Sequence, residues 1–241
     1  MAGITIVFDF DRTIIDGDSD NLVVTQMGLT NLFNELYSSL PWNSLMDRNL
    51  HFDTLMVELQ SQERTIEDIA ECLKGAALHP QIIAAIRSAE AVGCDLRIIS
   101  DANQFFIETI LKHHGVLGCF SKIYTNPTFV DGKGRLRILP FHDNSTSHGC
   151  NLCPSNMCKG LVIDQIRASK SVNHKFIYIG DGRGDFCPTL RLEEEDHVMP
   201  RKLYPLSERI NSNQTLVKAK THEWSDGKEL EKILSGLVDV K

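Results

Sequence analysis

The chain has no apolar run long enough to cross a bilayer, no internal repeat and no low-complexity tract. These absences exclude a helical membrane protein, a solenoid and a disordered linker. Positive charge is scarce: 25 Lys and Arg stand against 32 Asp and Glu, a formal net charge of −7. That balance argues against non-specific binding to nucleic acid or anionic membranes, although it leaves room for a local basic pocket. The amino terminus has no basic segment, and its first apolar run meets Asp9 too early for a secretory leader. Seven cysteines, an odd number, then predict a reducing, cytoplasmic compartment rather than a disulfide framework. With 42% hydrophobic and 24% charged residues over 241 positions, one α/β domain with a small insert is expected.

What is present is organised around Ile4-Thr5-Ile6-Val7-Phe8-Asp9-Phe10-Asp11-Arg12-Thr13. A β-branched run almost without polar interruption predicts a strand buried on both faces, hence parallel and central. Two carboxylates at its carboxyl end fall where open α/β sheets place their ligand crevice. Period-two geometry sends Asp9 and Asp11 to the same side, so a cation is expected beside them. The plain alternative is a strand followed by an Asp-rich turn.

Residues 17–78 are expected to form a helical insert. Leu29, Leu32, Phe33, Leu36 and Tyr37 share one helical face, Pro41-Trp42-Asn43 breaks the run, and Thr65 to Asp68 has capping-box form. Residues 1–16 and 79–241 then make the core. There a helix opens at Pro80, and strands are expected at Asp95–Ser100, Lys122–Thr125, Lys175–Ile179 and, as a short edge, His197–Met199. Phe129 to Ile138 reads as a β-hairpin, Met157 to Ala168 as a helix, and Asp226 as the cap of a last helix. Strand–helix–strand order implies right-handed crossovers and a Rossmann-like parallel sheet. Two further clusters reach its carboxyl edge: Ser100-Asp101-Ala102-Asn103 and Gly180-Asp181-Gly182-Arg183-Gly184-Asp185. Taken singly, Ser100 reads as a helix cap, the glycine cluster as an Asp-Gly turn, and Lys159 as a solvated helix residue. The glycines at 180, 182 and 184 lack the spacing of a dinucleotide fingerprint.

Phe8-Asp9-Phe10-Asp11-x-Thr13 resembles the first motif, Asp-x-Asp-x-Thr, of the haloacid dehalogenase-like phosphohydrolases. Ser100, Lys159 and Gly180–Asp185 resemble its second, third and fourth motifs, and the helical insert resembles the family's mobile cap. The resemblance implies Asp9 as nucleophile, Asp11 as the acid and base that serves the leaving oxygen and then water, and Thr13 as a loop support. Ser100 and Lys159 would bind the phosphate. Asp9, Asp181 and the backbone carbonyl of Asp11 would hold a divalent cation, most simply Mg²⁺, while Asp185 would act through water or orient a neighbour. The chemistry is coherent. A carboxylate nucleophile splits hydrolysis through an acyl phosphate, and a dianionic ester needs a cation to approach it. A phosphotransferase would share the first half of that reaction.

The likeness sharpens in Asp16-x-Asp18-Ser19-Asp20, Ser100-Asp101-Ala102-Asn103 and Cys150-x2-Cys153-Pro154-x-Asn156-Met157-Cys158-Lys159-Gly160. These resemble the PHOSPHO-type subfamily of phosphoethanolamine/phosphocholine phosphatases and pyridoxal phosphate phosphatases, from Ile4 to about Trp224. There the positions matching Asp20 and Asp101 contact substrate. Extra carboxylates in an acidic site make sense if the substrate's organic part is cationic. Choline, ethanolamine and a thiazolium qualify, and Phe33, Tyr37 or Trp42 could add a cation–π contact if it faced the site. The plant branch of the subfamily puts thiamine monophosphate first, with phosphoethanolamine, phosphocholine and pyridoxal phosphate as alternatives. The expected partner is a small phosphate ester, with no nucleic acid and no membrane; nothing fixes the oligomeric state. Cys150, Cys153 and Cys158 with His148 are compatible with structural zinc, but no second Cys-x2-Cys pair matches them, so packed or free thiols in the loop before the Lys159 helix are the favoured reading and no zinc site is assigned.

Overall fold

β1 (Ile4–Phe8) lies inside a six-stranded sheet in the computed structural model, which describes residues 3–39, 45–142 and 148–238. The side chains of Tyr37 and of residues 39 and 45–52 lie outside that description, as do Pro41, Trp42 and Asn43. The other strands are β2 (Asp95–Asn103), β3 (Lys122–Asn126), the pair β4 (Thr128–Val130) and β5 (Leu136–Ile138), β6 (Lys175–Gly180), β7 (His197–Pro200) and β8 (Lys220–Thr221). The large sheet runs β3-β2-β1-β6-β7-β8, every pairing parallel. β1 is covered on both faces. Ile6 and Phe8 enter one apolar cluster and Val7 the opposite one, as alternation along a strand requires. In β6, Ile177 and Ile179 join the first cluster, Phe176 and Tyr178 the second.

β7 is not the edge strand that the sequence suggests, because β8 pairs outside it. β8 has two exposed residues and no apolar run, so nothing local announces it.

Among the described residues, four helices separate β1 from the next α/β unit: α1 (Ser19–Gln26), α2 (Thr30–Ser39), α3 (Leu45–Ser61) and α4 (Ile66–Leu73). They share the first cluster with the sheet through Val23, Leu55, Leu59 and Leu73, joined by Leu29 from the connection between α1 and α2. Phe33 packs half-buried against that cluster. α4 starts at a capping box, with Thr65 N–H donating to Asp68 at 2.8 Å and Asp68 N–H to Thr65 Oγ1 at 3.2 Å. α5 (Pro80–Ala91), α6 (Gln104–His113), α7 (Lys159–Ala168), α8 (Phe186–Thr189), α9 (Pro205–Ser212) and α10 (Gly227–Val238) complete the chain. Asp226 Oδ1 caps α10 by accepting from Lys228 and Glu229 N–H at 2.9 Å each.

β4 and β5 form the expected hairpin, and it is tied to α3. Arg137 makes a bidentate pair with Asp53, at 2.8 and 2.6 Å, and Gln60 Nε2 donates to the Lys133 carbonyl at 2.6 Å.

Asp95, at the start of β2, accepts from Arg97 Nε at 2.8 Å, Lys170 Nζ at 2.7 Å and the Ser121 hydroxyl. Partial burial alone would raise this carboxyl, but the donors outweigh it and hold it at about 2. Its contribution is therefore present above the unfolded value of about 3.9 and is lost as pH falls through the folded one. Asp95→Asn is expected to cost about 1 kcal/mol, screened by partial exposure. In urea melts the deficit should be constant from neutral pH down to about 5 and vanish towards pH 2.

Candidate active site

The carboxyl end of the sheet is built around Asp9. Its N–H donates to the Ile179 carbonyl at 2.8 Å, which prolongs the β1–β6 ladder by one residue. Its Oδ1 accepts from Phe10 N–H at 2.7 Å and its Oδ2 lies 2.9 Å from Lys159 Nζ. Lys159 opens α7, and its Nζ also donates to Asp185 Oδ1 at 2.8 Å. The three groups are 6%, 4% and 0% exposed for Asp9, Lys159 and Asp185, so solvent screens their charges little. Burial, then Asp185, pushes the Asp9 carboxyl well above its ordinary range despite the ammonium. For Lys159 burial opposes the charged form, but Asp185, Asp9 and Asp101 outweigh it and raise the pKa.

After Asp9 the chain turns sharply. Arg12 takes a φ of 56°, Ile14 N–H returns to the Phe10 carbonyl at 2.8 Å, and Arg12 N–H reaches the Gly17 carbonyl at 2.8 Å. A left-handed non-glycine residue is uncommon and needs support. Arg201 supplies it, donating from Nη1 to the Arg12 carbonyl at 2.6 Å and from Nη2 to Asp16. The turn leaves Asp11 half-buried, with Oδ1 accepting from Ser19 N–H at 2.9 Å at the amino terminus of α1. Burial, Asp18 and Asp20 drive its pKa well above the usual value, against the Ser19 bond.

β6 delivers the second acidic group. Asp181 accepts from Thr13 Oγ1 at 3.3 Å, and burial followed by Asp185 pushes it up to about 7. Asp185 takes four donors: Lys159 Nζ and Tyr178 OH (2.7 Å) on Oδ1, and Asp181 N–H (3.1 Å) and Gly182 N–H (2.8 Å) on Oδ2. It folds back over the strand end so closely that a Cβ on Gly180 would lie 2.6 Å from its Oδ2. A side chain there would expel it.

Carboxylate oxygens of Asp9, Asp181 and Asp185 lie within 4.8 Å of one another, all three residues buried. Three carboxylates against one ammonium form a hard-oxygen, electrostatically incomplete set, which fits a small divalent cation such as Mg²⁺. With Asp185 occupied by four donors, Asp9 and Asp181 offer the side-chain oxygens. The Asp11 carboxylate is not in this group; its Oδ1 accepts from Ser19 N–H instead.

Ser100 is fully buried inside β2, three residues before its end and beside β1 through the Phe8–Ile98 register, and its Oγ accepts from Ala102 N–H at 3.2 Å. It is not the cap of α6; Asn103 is, accepting from Phe106 N–H at 3.0 Å. Asp101 lies near enough to act electrostatically on Asp9 and Lys159, and Asp20 on Asp11. The structure thus brings Asp9, Lys159, Asp181 and Asp185 together, with Asp101 close enough to act on Asp9 and Lys159, Asp20 beside Asp11 at the amino end of α1, and Ser100 on the strand next to β1. Sequence reasoning missed Tyr178 and Arg201. Tyr178 carried one faint signal, a hydroxyl inside an otherwise apolar buried strand; a partner is expected for it.

A third cluster lies behind Lys159. Cys150, Cys153, Cys158 and Cys187 bring their sulfurs within 4.8 Å of one another. His148 is not among them: its Nδ1 accepts from Cys150 N–H at 3.1 Å and its Nε2 pairs with the Pro154 carbonyl at 2.8 Å.

This architecture is shared with a solved phospho-aspartyl intermediate analogue of phosphoserine phosphatase, at a TM-score of 0.63 over 97% of this chain and 99% of that one. At 14% identity that likeness shows the fold alone, a parallel α/β sheet flanked by helices. The family model described as "Putative Phosphatase" matches residues 4–238, and the chain belongs to this family of haloacid dehalogenase-like phosphatases. Among its relatives, the Arabidopsis thaliana "Thiamine phosphate phosphatase-like protein" is 59% identical over 99% of this chain and 96% of its own length. "Inorganic pyrophosphatase 2" of the same plant is 52% identical over 98% and 84%. The human "Pyridoxal phosphate phosphatase PHOSPHO2" is 31% identical over 94% and 95%.

Proposed function

We propose that the protein is a Mg²⁺-dependent phosphomonoesterase acting through an aspartyl phosphate on Asp9, with a small cationic ester, thiamine monophosphate first, as substrate. The observation that carries this reading is the fixing of Asp9 between Phe10 N–H and the buried Lys159 ammonium. A nucleophile oriented before substrate arrives avoids the entropic cost of positioning it in the transition state. An Asp9 oxygen attacks phosphorus, the bond to the ester oxygen breaks, and its electron pair leaves with the alcohol. Asp11, whose raised pKa favours the protonated form, delivers the proton to that oxygen. Water then attacks the phosphorus of the aspartyl phosphate, Asp11 takes its proton, and phosphate departs from a regenerated Asp9. Lys159 balances the charge on the phosphoryl oxygens, and Ser100 donates to one of them. Asp9, Asp181 and the Asp11 carbonyl would hold Mg²⁺, which supplies charge neutralisation between carboxylate and ester. Asp185 keeps Lys159 and the loop after β6 in place. Residues 17–78 act as the cap over this edge.

Asp20 and Asp101 support the cationic substrate, since carboxylates added to such a site repel an anionic ester unless a cationic organic group offsets them. The relative named for inorganic pyrophosphate favours a second reading, with pyrophosphate as substrate. The two separate in one panel of kcat/KM values with Mg²⁺: thiamine monophosphate, phosphocholine, phosphoethanolamine, pyridoxal phosphate, glucose 6-phosphate and pyrophosphate. Thiamine monophosphate should lead, and Asp20→Asn should cut its margin over glucose 6-phosphate by roughly tenfold, as loss of one charge contact would. A lead for pyrophosphate or the sugar phosphate overturns the cationic assignment.

A further inference from the structure

We propose that Cys150, Cys153, Cys158 and Cys187 bind a structural zinc ion directly behind the Lys159–Asp185 pair. The Cys150–Cys187 and Cys158–Cys187 sulfur separations are 3.6 and 3.8 Å. A tetrahedron of Zn–S bonds about 2.3 Å long has sulfur–sulfur edges of about 3.8 Å. A disulfide needs about 2.05 Å, and none of the four cysteines is bridged. Apolar packing does not account for the cluster either. A buried cysteine ordinarily behaves as a small hydrophobe against carbon, whereas here each sulfur faces three others.

The approach is built into the fold. Cys150 and Cys153 come from the loop before α7, Cys158 is the N-cap of α7, and Cys187 belongs to α8. α7 and α8 close upon each other at Gly160, where a Cβ would stand 2.6 Å from Cys187 Sγ and 3.3 Å from its carbonyl oxygen. Cys158 and Cys187 are buried and the other two half-buried. His148, both ring nitrogens engaged with the loop backbone, shapes the loop instead of supplying a ligand.

Four thiolates fill a tetrahedron and leave no position for water or substrate, which marks the site as structural. Soft sulfur selects zinc, hard carboxylate oxygen selects Mg²⁺, so the two sites sort their metals by donor type. On binding, the thiol protons pass to solvent. The ion would pin Cys158 immediately before Lys159 and Cys187 two residues after Asp185, fixing the two chain segments that meet at that ion pair.

The test does not depend on the hydrolytic reading. The full-length chain, dialysed against zinc-free buffer containing Mg²⁺, is expected to retain about one zinc per chain by mass spectrometry of the elements. An organomercurial that titrates the thiols should release it to a chromogenic chelator. Cys187→Ser should lower retained zinc by at least about tenfold. Because that variant can fail to fold, the wild-type chain is also reconstituted with Co²⁺, which should give the intense visible bands and the thiolate charge-transfer band of a tetrahedral sulfur site. Asp9→Asn should hold its full zinc, which separates this site from the carboxylate one. Iron in place of zinc, less than about a tenth of a zinc per chain, a six-coordinate cobalt spectrum, or an intact mass showing a disulfide would each overturn the proposal.

Discussion

Asp9→Asn is expected to lower kcat on every phosphate ester by on the order of 10⁴-fold while the chain stays folded. The amide keeps the shape of the carboxylate and can still accept from Phe10 N–H, but it cannot form the acyl phosphate. Stability should move the other way in Mg²⁺-free buffer. Asp9 is buried beside Asp185, and its carboxyl lies well above its ordinary pKa, so the ionised form costs free energy at neutral pH. Removing that charge leaves Lys159 paired with Asp185 at 2.8 Å. Single-turnover assays and a thermal melt of the same preparation check both halves. Residual turnover within about tenfold of wild type would remove Asp9 from the nucleophile's place.

Lys159→Met should do the opposite to the fold. Methionine matches the length of the aliphatic stem but leaves Asp9 and Asp185 buried with no cation between them. Breaking a buried pair by deleting one partner costs about 3–5 kcal/mol, a large part of a typical domain's stability. For a chain of this size that corresponds to a fall in Tm on the order of 10 °C. Activity should drop by roughly 10²–10³-fold, because phosphoryl charge loses its nearest fixed counter-charge. The double variant Lys159→Met/Asp185→Asn isolates the structural part: stability should partly return, since one orphaned carboxylate is gone, while turnover should not. An additive result would mean that the two side chains do not act as a pair.

The central strand was legible because both of its faces are apolar and its end is marked by two carboxylates. The parallel sheet followed from strand and helix order, and the capping box at Thr65 from four residues. Other features had no local signal. Lys159 looks like any helix lysine until the fold sets it beside Asp9, so motif resemblance alone singled it out. Cys187 stands alone in Phe186-Cys187-Pro188, 29 residues from Cys158, with no spacing to connect it to the earlier three. Asp185 was readable as an acidic residue at a strand end, but its four donors come from Lys159, Tyr178 and two backbone amides that only tertiary contact assembles. The Asp11 side chain illustrates the limit of alternation: once Arg12 turns left-handed, strand periodicity no longer predicts where its neighbours point.

The tie between α3 and the β4–β5 hairpin sets a rule for grafting. A chimera that exchanged only the four helices after β1 for a set lacking Asp53 and Gln60 would strip Arg137 of its bidentate partner and the Lys133 carbonyl of its donor. Arg137 would keep just the longer 3.5 Å contact to Asp131. Helices and hairpin are therefore one transplantable unit assembled from two separate stretches of chain, and a swap has to carry both.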